Sequence, residues 1–202
     1  MTLVKLCGLM SCGDMGKAID AGADMVGMVL SAGYRRSVSL EEAKAMAAMA
    51  EGRAVSVGVF VDEPMDRLAA AASETGIGMI QLHGSEGPAY ISMAKETTGL
   101  PVIKSFRPGD PGIEDSPADL VLIDPGAGSG EAFDYSSTRG IGRDFILAGG
   151  LAPENVARAI AAAHPYAVDT SSGTEVDGFK DKERMEAFVE AVRSQDAEEV
   201  RI

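Results

Sequence analysis

Two side chains that could exchange protons with a substrate lie at the ends of short apolar segments. Cys7 ends a segment that begins at Leu3, and Asp124 ends one that begins at Asp119. A thiolate can remove a proton and a carboxyl group can supply one, so such a pair can serve as general base and general acid. Each residue alone has a simpler explanation, because a cysteine often packs in a core and an aspartate often ends a strand. Acid–base chemistry therefore requires a fold that brings the two together.

Several other polar side chains occupy the same kind of position, at or just after the end of an apolar segment. They are Gln81, His83, Asp169, Ser171 and Ser172. In a barrel of parallel strands, the carboxyl ends of all strands meet at one mouth, where the active sites of such barrels lie. Cys7 and Asp124 would then stand on nearly opposite strands, with a substrate between them.

Short apolar segments alternate with amphipathic segments along almost the whole chain, which predicts alternating strands and helices. The predicted strands are residues 3–7, 24–30, 54–60, 77–83, 102–106, 119–124, 145–147 and 166–170. The predicted helices are residues 11–21, 40–50, 64–75, 86–98, 153–163 and 180–193. About eight strand–helix units, spaced by about 20 to 25 residues, are typical of an α/β protein of the (β/α)8 TIM barrel class. A doubly wound sheet would instead need a G-x-G-x-x-G turn after its first strand, which Cys7-Gly8-Leu9 does not provide.

Three stretches depart from this pattern. Residues 107–118 contain three prolines and two glycines, so the fifth helix should be short or missing. Residues 125–130 are too rich in glycine for a helix or strand, and we expect this loop to move. Residues 195–202 form a charged tail with no assigned structure. We expect residues 1–202 to form a single barrel domain.

The second predicted helix has a clear start signal. Ser39 is a favourable N-cap residue, and Glu42 follows three residues later. This spacing predicts a capping box, in which the Glu42 side chain bonds back to the N–H of Ser39.

Composition and charge exclude several classes of protein. Of the 202 residues, 46% are hydrophobic and 24% are charged, as in ordinary globular proteins. No apolar run approaches the ~20 residues that span a bilayer. The formal net charge of −13 argues against a nucleic-acid surface and against binding to anionic lipid. The expected partner is a small molecule, and the sequence leaves both a monomer and a homodimer open.

The cysteines indicate the cellular compartment of the protein, and the histidines bear on whether it binds a metal. Cys7 and Cys12 are the only cysteines and have no disulfide framework around them, which favours a reducing cytoplasm. The N-terminus lacks the basic and apolar regions of a signal peptide. With two histidines and no H-x-x-x-H or C-x-x-C spacing, the chain predicts no metal site.

Two glycine-containing turns are candidates for binding phosphate. Gly149-Gly150 follows the seventh predicted strand, and Ser171-Ser172-Gly173 follows the eighth. In many barrels, these two turns bind phosphate through backbone N–H groups and the start of a short helix. Either turn alone would be an ordinary turn, but together they predict a phosphate site.

Seven blocks, spread from end to end of the chain, carry a resemblance to a known family. They are residues 4–9, 21–24, 58–61, 81–84, 122–124, 148–151 with 154–156, and 168–175 with 180–181. The most specific are the Cys7-Gly8 ending of the first strand and the Asp-x-Ser-Ser-Gly-x-Glu sequence that starts at Asp169. In order and content, these blocks resemble phosphoribosylanthranilate isomerases.

The resemblance implies a cofactor-free Amadori rearrangement in tryptophan biosynthesis. The substrate would be N-(5-phosphoribosyl)anthranilate and the product 1-(2-carboxyphenylamino)-1-deoxyribulose 5-phosphate. It implies that Asp124 is the general acid that protonates the furanose oxygen, and that Cys7, as thiolate, removes the C2′ proton. It also implies that Arg36 holds the anthranilate carboxylate. The expected substrate-binding residues are Arg36, His83, Gly149, Gly150, Asp169, Ser171, Ser172 and Gly173.

Two other functions remain open at the level of sequence. Lys104, in the fifth predicted strand, could form a Schiff base in an aldolase or related lyase that acts on a sugar phosphate. A barrel without catalytic activity could instead bind a phosphorylated metabolite. Trapping with borohydride separates the first alternative from an isomerase, and binding without turnover identifies the second.

Overall fold

Eight parallel strands close into a barrel in the computed structural model, which describes residues 1–126, 135–138 and 140–199. The strands are β1 (Leu3–Leu6), β2 (Met25–Val29), β3 (Val55–Phe60), β4 (Met79–Leu82), β5 (Val102–Phe106), β6 (Leu120–Ile123), β7 (Phe145–Leu147) and β8 (Ala167–Thr170). The first strand pairs with both the second and the last, and Lys5 is in register with Asp169. The two ends of the sequence thus close the barrel side by side.

Helices cover the outside of the barrel. They are α1 (Cys12–Asp20), α2 (Leu40–Ala50), α3 (Met65–Thr75), α4 (Pro88–Thr98), α5 (Val156–Ala163) and α6 (Lys182–Glu199). Residues 107–119, all of which are described, contain no α-helix, so the predicted barrel with a short or missing fifth helix is confirmed. Most of the loop at residues 125–130 lies outside the described part of the chain. No helix in the described ranges has both the length and the apolar character needed to cross a bilayer.

The last helix begins and ends later than predicted. Lys180 belongs to a two-stranded hairpin, β9 (Glu175–Val176) with β10 (Phe179–Lys180), which the sequence analysis did not predict. The hairpin turns at Asp177 and Gly178, both with positive φ (51° and 83°). Asp-Gly is a favoured pair for such a turn, but strands of two residues leave no periodic pattern to detect.

The C-terminal end of α6 is held by the start of the chain. Asp196 accepts hydrogen bonds from the backbone N–H of Thr2 at 2.7 Å and from its hydroxyl at 2.8 Å. Arg193 donates to the carbonyl of Thr2 at 2.7 Å and to Asp24 at 2.7 Å. These long-range bonds explain why the helix continues into residues that carry no helix signal of their own.

The start of α2 follows half of its predicted pattern. The Ser39 hydroxyl accepts from the N–H of Glu42 at 3.1 Å, so the N-cap is confirmed. The second half of the capping box is wrong, because Glu42 accepts from the N–H of Cys12 at 3.2 Å. That N–H belongs to the first turn of α1, where helix N–H groups lack partners within the helix. Glu42 therefore joins two neighbouring helices.

Apolar side chains form two layers, one between strands and helices and one inside the barrel. The buried members of the inner layer are Met25, Val57, Ile103, Leu122, Ile146, Ala148 and Ala167. Leu3, Met79 and Leu120, which begin their strands, pack against this layer. The amino-terminal end of the barrel is thus filled with apolar side chains, and the polar side chains of the interior collect at the opposite end.

Candidate active site

The first and last strands contribute a buried ion pair to the mouth of the barrel. Lys5 Nζ lies 2.8 Å from Asp169 Oδ1, and the Lys5 side chain is fully buried. Burial alone would lower the pKa of Lys5, but the charge of Asp169, the neighbouring Cys7 and their hydrogen bonds raise it overall. Lys5 therefore stays charged within the barrel.

Cys7 lies next to this ammonium group. The side chains of Lys5 and Cys7 lie close together, as expected for residues two positions apart that share the inward face at the end of β1. A Cβ atom added to Gly27 would lie 2.6 Å from the Cys7 sulfur and 3.2 Å from Lys5 Nζ, so only glycine on β2 leaves room for both. Cys12 lies at the start of α1, outside this cluster. Cys7 is accordingly the thiol at the mouth.

Asp124 and His83 face each other from β6 and β4. Asp124 Oδ2 lies 3.9 Å from His83 Nε2, and Asp124 Oδ1 accepts from the N–H of Gly126 at 2.9 Å. Burial lowers the pKa of His83, although Asp124 and Asp169 act in the opposite direction. The amide nitrogen of Gln81 lies 3.1 Å from His83 Nδ1. With Gln81 as donor, the neutral ring carries its proton on Nε2, toward Asp124.

A cavity opens beside this pair. Its volume is about 700 Å³, and it is lined by His83, Lys104, Ser105, Arg107 and Asp124, among others. The lining is polar and comes from the ends of β4, β5 and β6. Pockets of this size accommodate small organic ligands.

The two predicted phosphate turns have the backbone that their glycines permit. Gly149 and Gly150 have φ values of 90° and 65°, a region that favours glycine. A Cβ atom on Gly173 would collide with the carbonyl oxygen of Leu151, so the turns after β7 and β8 contact each other. Among the described residues, the N–H groups of Ser172 and Gly173 have no protein acceptor. These donors at the start of a short 3-10 helix, Ser172–Thr174, can bind an anion.

Arg36 and Arg35 both contact Glu175, but they differ in whether their terminal guanidinium nitrogens are already hydrogen-bonded. Arg36 Nε donates to Glu175 Oε1 at 2.8 Å, and Arg35 Nη2 donates to Glu175 Oε2 at 2.8 Å. Arg35 also donates through Nη1 to the carbonyl of Gly178 at 3.0 Å. The terminal nitrogens of Arg36 have no acceptor within the described ranges. Arg36 thus keeps the end of its guanidinium for a ligand, as a two-point grip on a carboxylate requires.

Lys104, the candidate Schiff-base residue, is committed to the protein. Its Nζ donates to Glu86 Oε2 at 2.8 Å and to the carbonyl of Gly84 at 2.6 Å. Both partners of the Lys104–Glu86 ion pair are almost completely buried. An ammonium group held in this way is a poor nucleophile, because attack requires a neutral amine.

Two charged residues of the site were missed by sequence reasoning. Glu175 binds Arg36 and Arg35, and Lys180 donates to the carbonyl of Ser171 at 2.7 Å with its side chain fully buried. Both lie in blocks that carry the family resemblance, but Glu175 contacts arginines from the loop between β2 and α2, and Lys180 belongs to a hairpin that no sequence pattern indicates. Only the folded chain shows what they contact.

The chain is similar to known proteins over nearly its whole length. The family model described as N-(5'phosphoribosyl)anthranilate (PRA) isomerase matches residues 4–191. An N-(5'-phosphoribosyl)anthranilate isomerase from Lacticaseibacillus casei is 39% identical over 193 residues, which cover 96% of each chain.

Solved structures are also similar to this chain in sequence and in fold. A phosphoribosyl anthranilate isomerase from Thermus thermophilus is 36% identical, with a TM-score of 0.85, over 96% of this chain and 99% of that one. Another, solved with reduced 1-(o-carboxyphenylamino)-1-deoxyribulose 5-phosphate, is 30% identical, with a TM-score of 0.84, over 96% and 100% of the two chains. In sequence and in fold, the chain belongs to the N-(5'-phosphoribosyl)anthranilate isomerase family.

Proposed function

We infer that this protein converts N-(5-phosphoribosyl)anthranilate to 1-(2-carboxyphenylamino)-1-deoxyribulose 5-phosphate in tryptophan biosynthesis. The observation that carries this inference is the arrangement at the mouth. A thiol beside an ammonium group, a carboxyl group beside a histidine, one arginine with a free end and two glycine-containing turns collect at this mouth. Such a mouth suits a substrate with a carboxylate at one end, a phosphate at the other and a sugar between them.

The proton transfers of the reaction can be written with Asp124 and Cys7. Asp124, as a carboxylic acid, donates its proton to the furanose oxygen while the C1′–O bond breaks, and the anthranilate nitrogen supplies the electron pair for a protonated Schiff base. Cys7, as thiolate, removes the proton from C2′, and the electrons of that C–H bond neutralise the iminium nitrogen. In the resulting enolamine, C1′ takes a proton from the Cys7 thiol and the 2′-hydroxyl gives its proton to the Asp124 carboxylate, so the ketose forms and both side chains return to their starting states. The chemistry uses only groups of this chain.

The binding residues take the ends of the substrate. Arg36 holds the anthranilate carboxylate through its terminal nitrogens, and the donors at Gly149, Gly150 and residues 171–173 hold the phosphate. His83 and Asp169, which flank the acid and the base, contact the sugar between them.

The assay is the loss of the fluorescence of N-(5-phosphoribosyl)anthranilate on adding purified protein. We expect turnover by the wild type, and a fall in kcat of about 10² to 10⁴ in Asp124→Asn and in Cys7→Ala, the usual contribution of a placed proton-transfer group. Asp119→Asn and Cys12→Ser are matched controls, because these residues lie outside the mouth, and both should keep wild-type kcat. A folded Asp124→Asn protein with wild-type kcat would remove Asp124 from the mechanism.

The compartment and the assembly are further proposals. Cys7 and Cys12 are free thiols, which supports a reducing compartment, and we propose the cytoplasm. We propose a small molecule as partner, with no role for nucleic acid or membrane, since the formal net charge is −13. Light scattering at working concentration decides between a monomer and a homodimer.

A further inference from the structure

One buried carboxylate joins three cationic side chains at the mouth. The Glu175 side chain, only 6% exposed, accepts from Arg36 Nε and from Arg35 Nη2, each at 2.8 Å. Lys180 Nζ lies 3.3 Å from the oxygen that Arg36 uses. One negative charge therefore holds groups from the β2 loop and from the hairpin after β8.

The same cluster reaches the turn that we assign to phosphate. Lys180 Nζ donates to the carbonyl of Ser171 at 2.7 Å and lies 3.4 Å from its hydroxyl. Because the Lys180 side chain is fully buried, it has few other conformations available. A change in Glu175 would therefore shift Lys180, and Lys180 would in turn shift the backbone at Ser171.

The two sides of the site also touch directly. A Cβ atom on Gly8 would lie 2.6 Å from Arg36 Cδ and 2.6 Å from the Ser171 hydroxyl oxygen. Gly8 has a φ of 70° and follows Cys7, so the arginine and the serine both pack on the turn that carries the thiol. The cluster around Glu175 and the turn at Gly8 thus form one packed unit.

The charge on Glu175 is stable at neutral pH. Burial would raise the pKa of Glu175, but the hydrogen bond from Arg36, the charge of Lys180 and the hydrogen bond from Arg35 lower it overall. Removing the carboxylate would leave the buried Lys180 without its counter-charge, which is costly.

We propose that Glu175 is a positioning residue that couples the carboxylate-binding side of the site to the phosphate-binding side. It fixes Arg36 through Nε, so that the terminal nitrogens face the ligand, and it keeps Lys180 on Ser171. This inference rests on the proposed function, because it assigns the two sides to the two charged ends of one substrate. Occupation of one side then orders the other, so the two ends of the substrate bind cooperatively.

The test measures each side separately. Anthranilate and inorganic phosphate each carry one charged end of the substrate, and we expect both to act as competitive inhibitors. We expect Glu175→Gln to raise both inhibition constants and the KM by about tenfold or more, the range for a lost charge-assisted contact, with kcat changed much less. In a double-mutant cycle, Arg36→Met should cost less in the Glu175→Gln background than in the wild type.

Matched variants separate positioning from a general loss of stability. Asp119 accepts from Lys95 Nζ and from the N–H of Val102, each at 2.8 Å, at the amino-terminal end of the barrel. Asp119→Asn therefore removes a carboxylate that also accepts two hydrogen bonds but lies away from the mouth, and it should leave both inhibition constants unchanged. Glu175→Asp keeps the charge but is one methylene shorter, and it should weaken both inhibitors even if Glu175→Gln does not fold. Unchanged constants in folded Glu175→Asp, or a change for one inhibitor only, would overturn the coupling.

If the proposed function is wrong, the experiments give a different result from the one expected if only the coupling is wrong. If the wild type turned over no substrate, the isomerase assignment would fall, but calorimetry would still measure binding of anthranilate and of inorganic phosphate. Coupling predicts that each probe binds more tightly when the other is present, and that Glu175→Gln removes this effect. Independent binding in the wild type would overturn the coupling whatever the activity.

Discussion

Two buried ammonium groups act on the Cys7 sulfur. Lys5 lies beside it, two residues earlier in the chain, and Lys180 is close enough for the two charges to interact. Lys180 itself has a pKa lowered by burial, despite the opposing charges of Glu175 and Cys7. At the scale of single residues, two ammonium groups thus lie near the thiol to which we assign proton removal.

Selective alkylation tests this environment. With iodoacetamide at pH 7, Cys7 should react at least about tenfold faster than Cys12, because Lys5 and Lys180 both lie near Cys7, which we propose as the catalytic base. Anthranilate together with inorganic phosphate should protect Cys7 alone. Peptide mapping measures both rates. Faster labelling of Cys12, with no protection of Cys7, would show that the reactive thiol has been assigned to the wrong residue.

At the scale of elements, Glu86 ties three segments together on the side of the mouth away from the phosphate turns. It accepts from the N–H of Asp62 at 2.8 Å, from the N–H of Gly84 at 2.9 Å and from Lys104 Nζ at 2.8 Å. The turns after β3 and β4 are thereby fixed to β5. A lysine that looks like a nucleophile in the sequence is a structural cation in the fold.

Lys104→Met should destabilise the protein by about 3 to 5 kcal/mol, because the Glu86 carboxylate would stay buried without its counter-charge. The double variant Glu86→Gln with Lys104→Met should be less destabilised than Lys104→Met alone. Urea unfolding measures both. Borohydride with substrate should leave Lys104 unmodified in the wild type, and a reduced adduct on Lys104 would favour the lyase.

The hairpin of β9 and β10 should carry a pH-dependent share of the stability. The usual pKa of a glutamate carboxyl is 4.5, and that of Glu175 is lowered in the fold. A lowered pKa contributes stability above 4.5 that is lost as the pH falls through the folded value. The difference in Tm between wild type and Glu175→Gln should therefore be largest near pH 7 and shrink below pH 4.5. A difference in Tm that is constant from pH 7 to pH 3 would contradict this.

At the scale of the whole molecule, the sequence predicted what depends on local pattern. All eight strands of the barrel were predicted, because an apolar run between turn residues can be recognised without knowledge of its neighbours. Three features depend instead on contacts between distant segments: the hydrogen bond from the Cys12 N–H to Glu42, the hairpin of β9 and β10, and the end of α6. For the same reason, Cys7 and Asp124 could be chosen from the sequence, but Glu175 and Lys180 could not.

The contact between the start of the chain and α6 should matter for stability and not for catalysis. Asp196→Ala removes two hydrogen bonds to Thr2, each to a charged acceptor, and should cost about 1 to 3 kcal/mol. Urea unfolding measures the loss, and kcat and KM should stay at wild-type values. Glu190→Ala, on the exposed side of α6, is the control and should cost little. A change in kcat of Asp196→Ala would link this end of the barrel to the mouth.

The pairing of Lys5 with Asp169 has a consequence for the protein as it is made. The two residues are 164 positions apart, and Lys180 comes later still. During translation, Lys5 and Cys7 therefore leave the ribosome long before Asp169 is synthesised, and the carboxylate of Asp169 balances the charge of Lys5. A nascent chain that ends before Lys180 lacks part of the set of groups around Cys7. Turnover should therefore first appear during synthesis when the last strand joins the first.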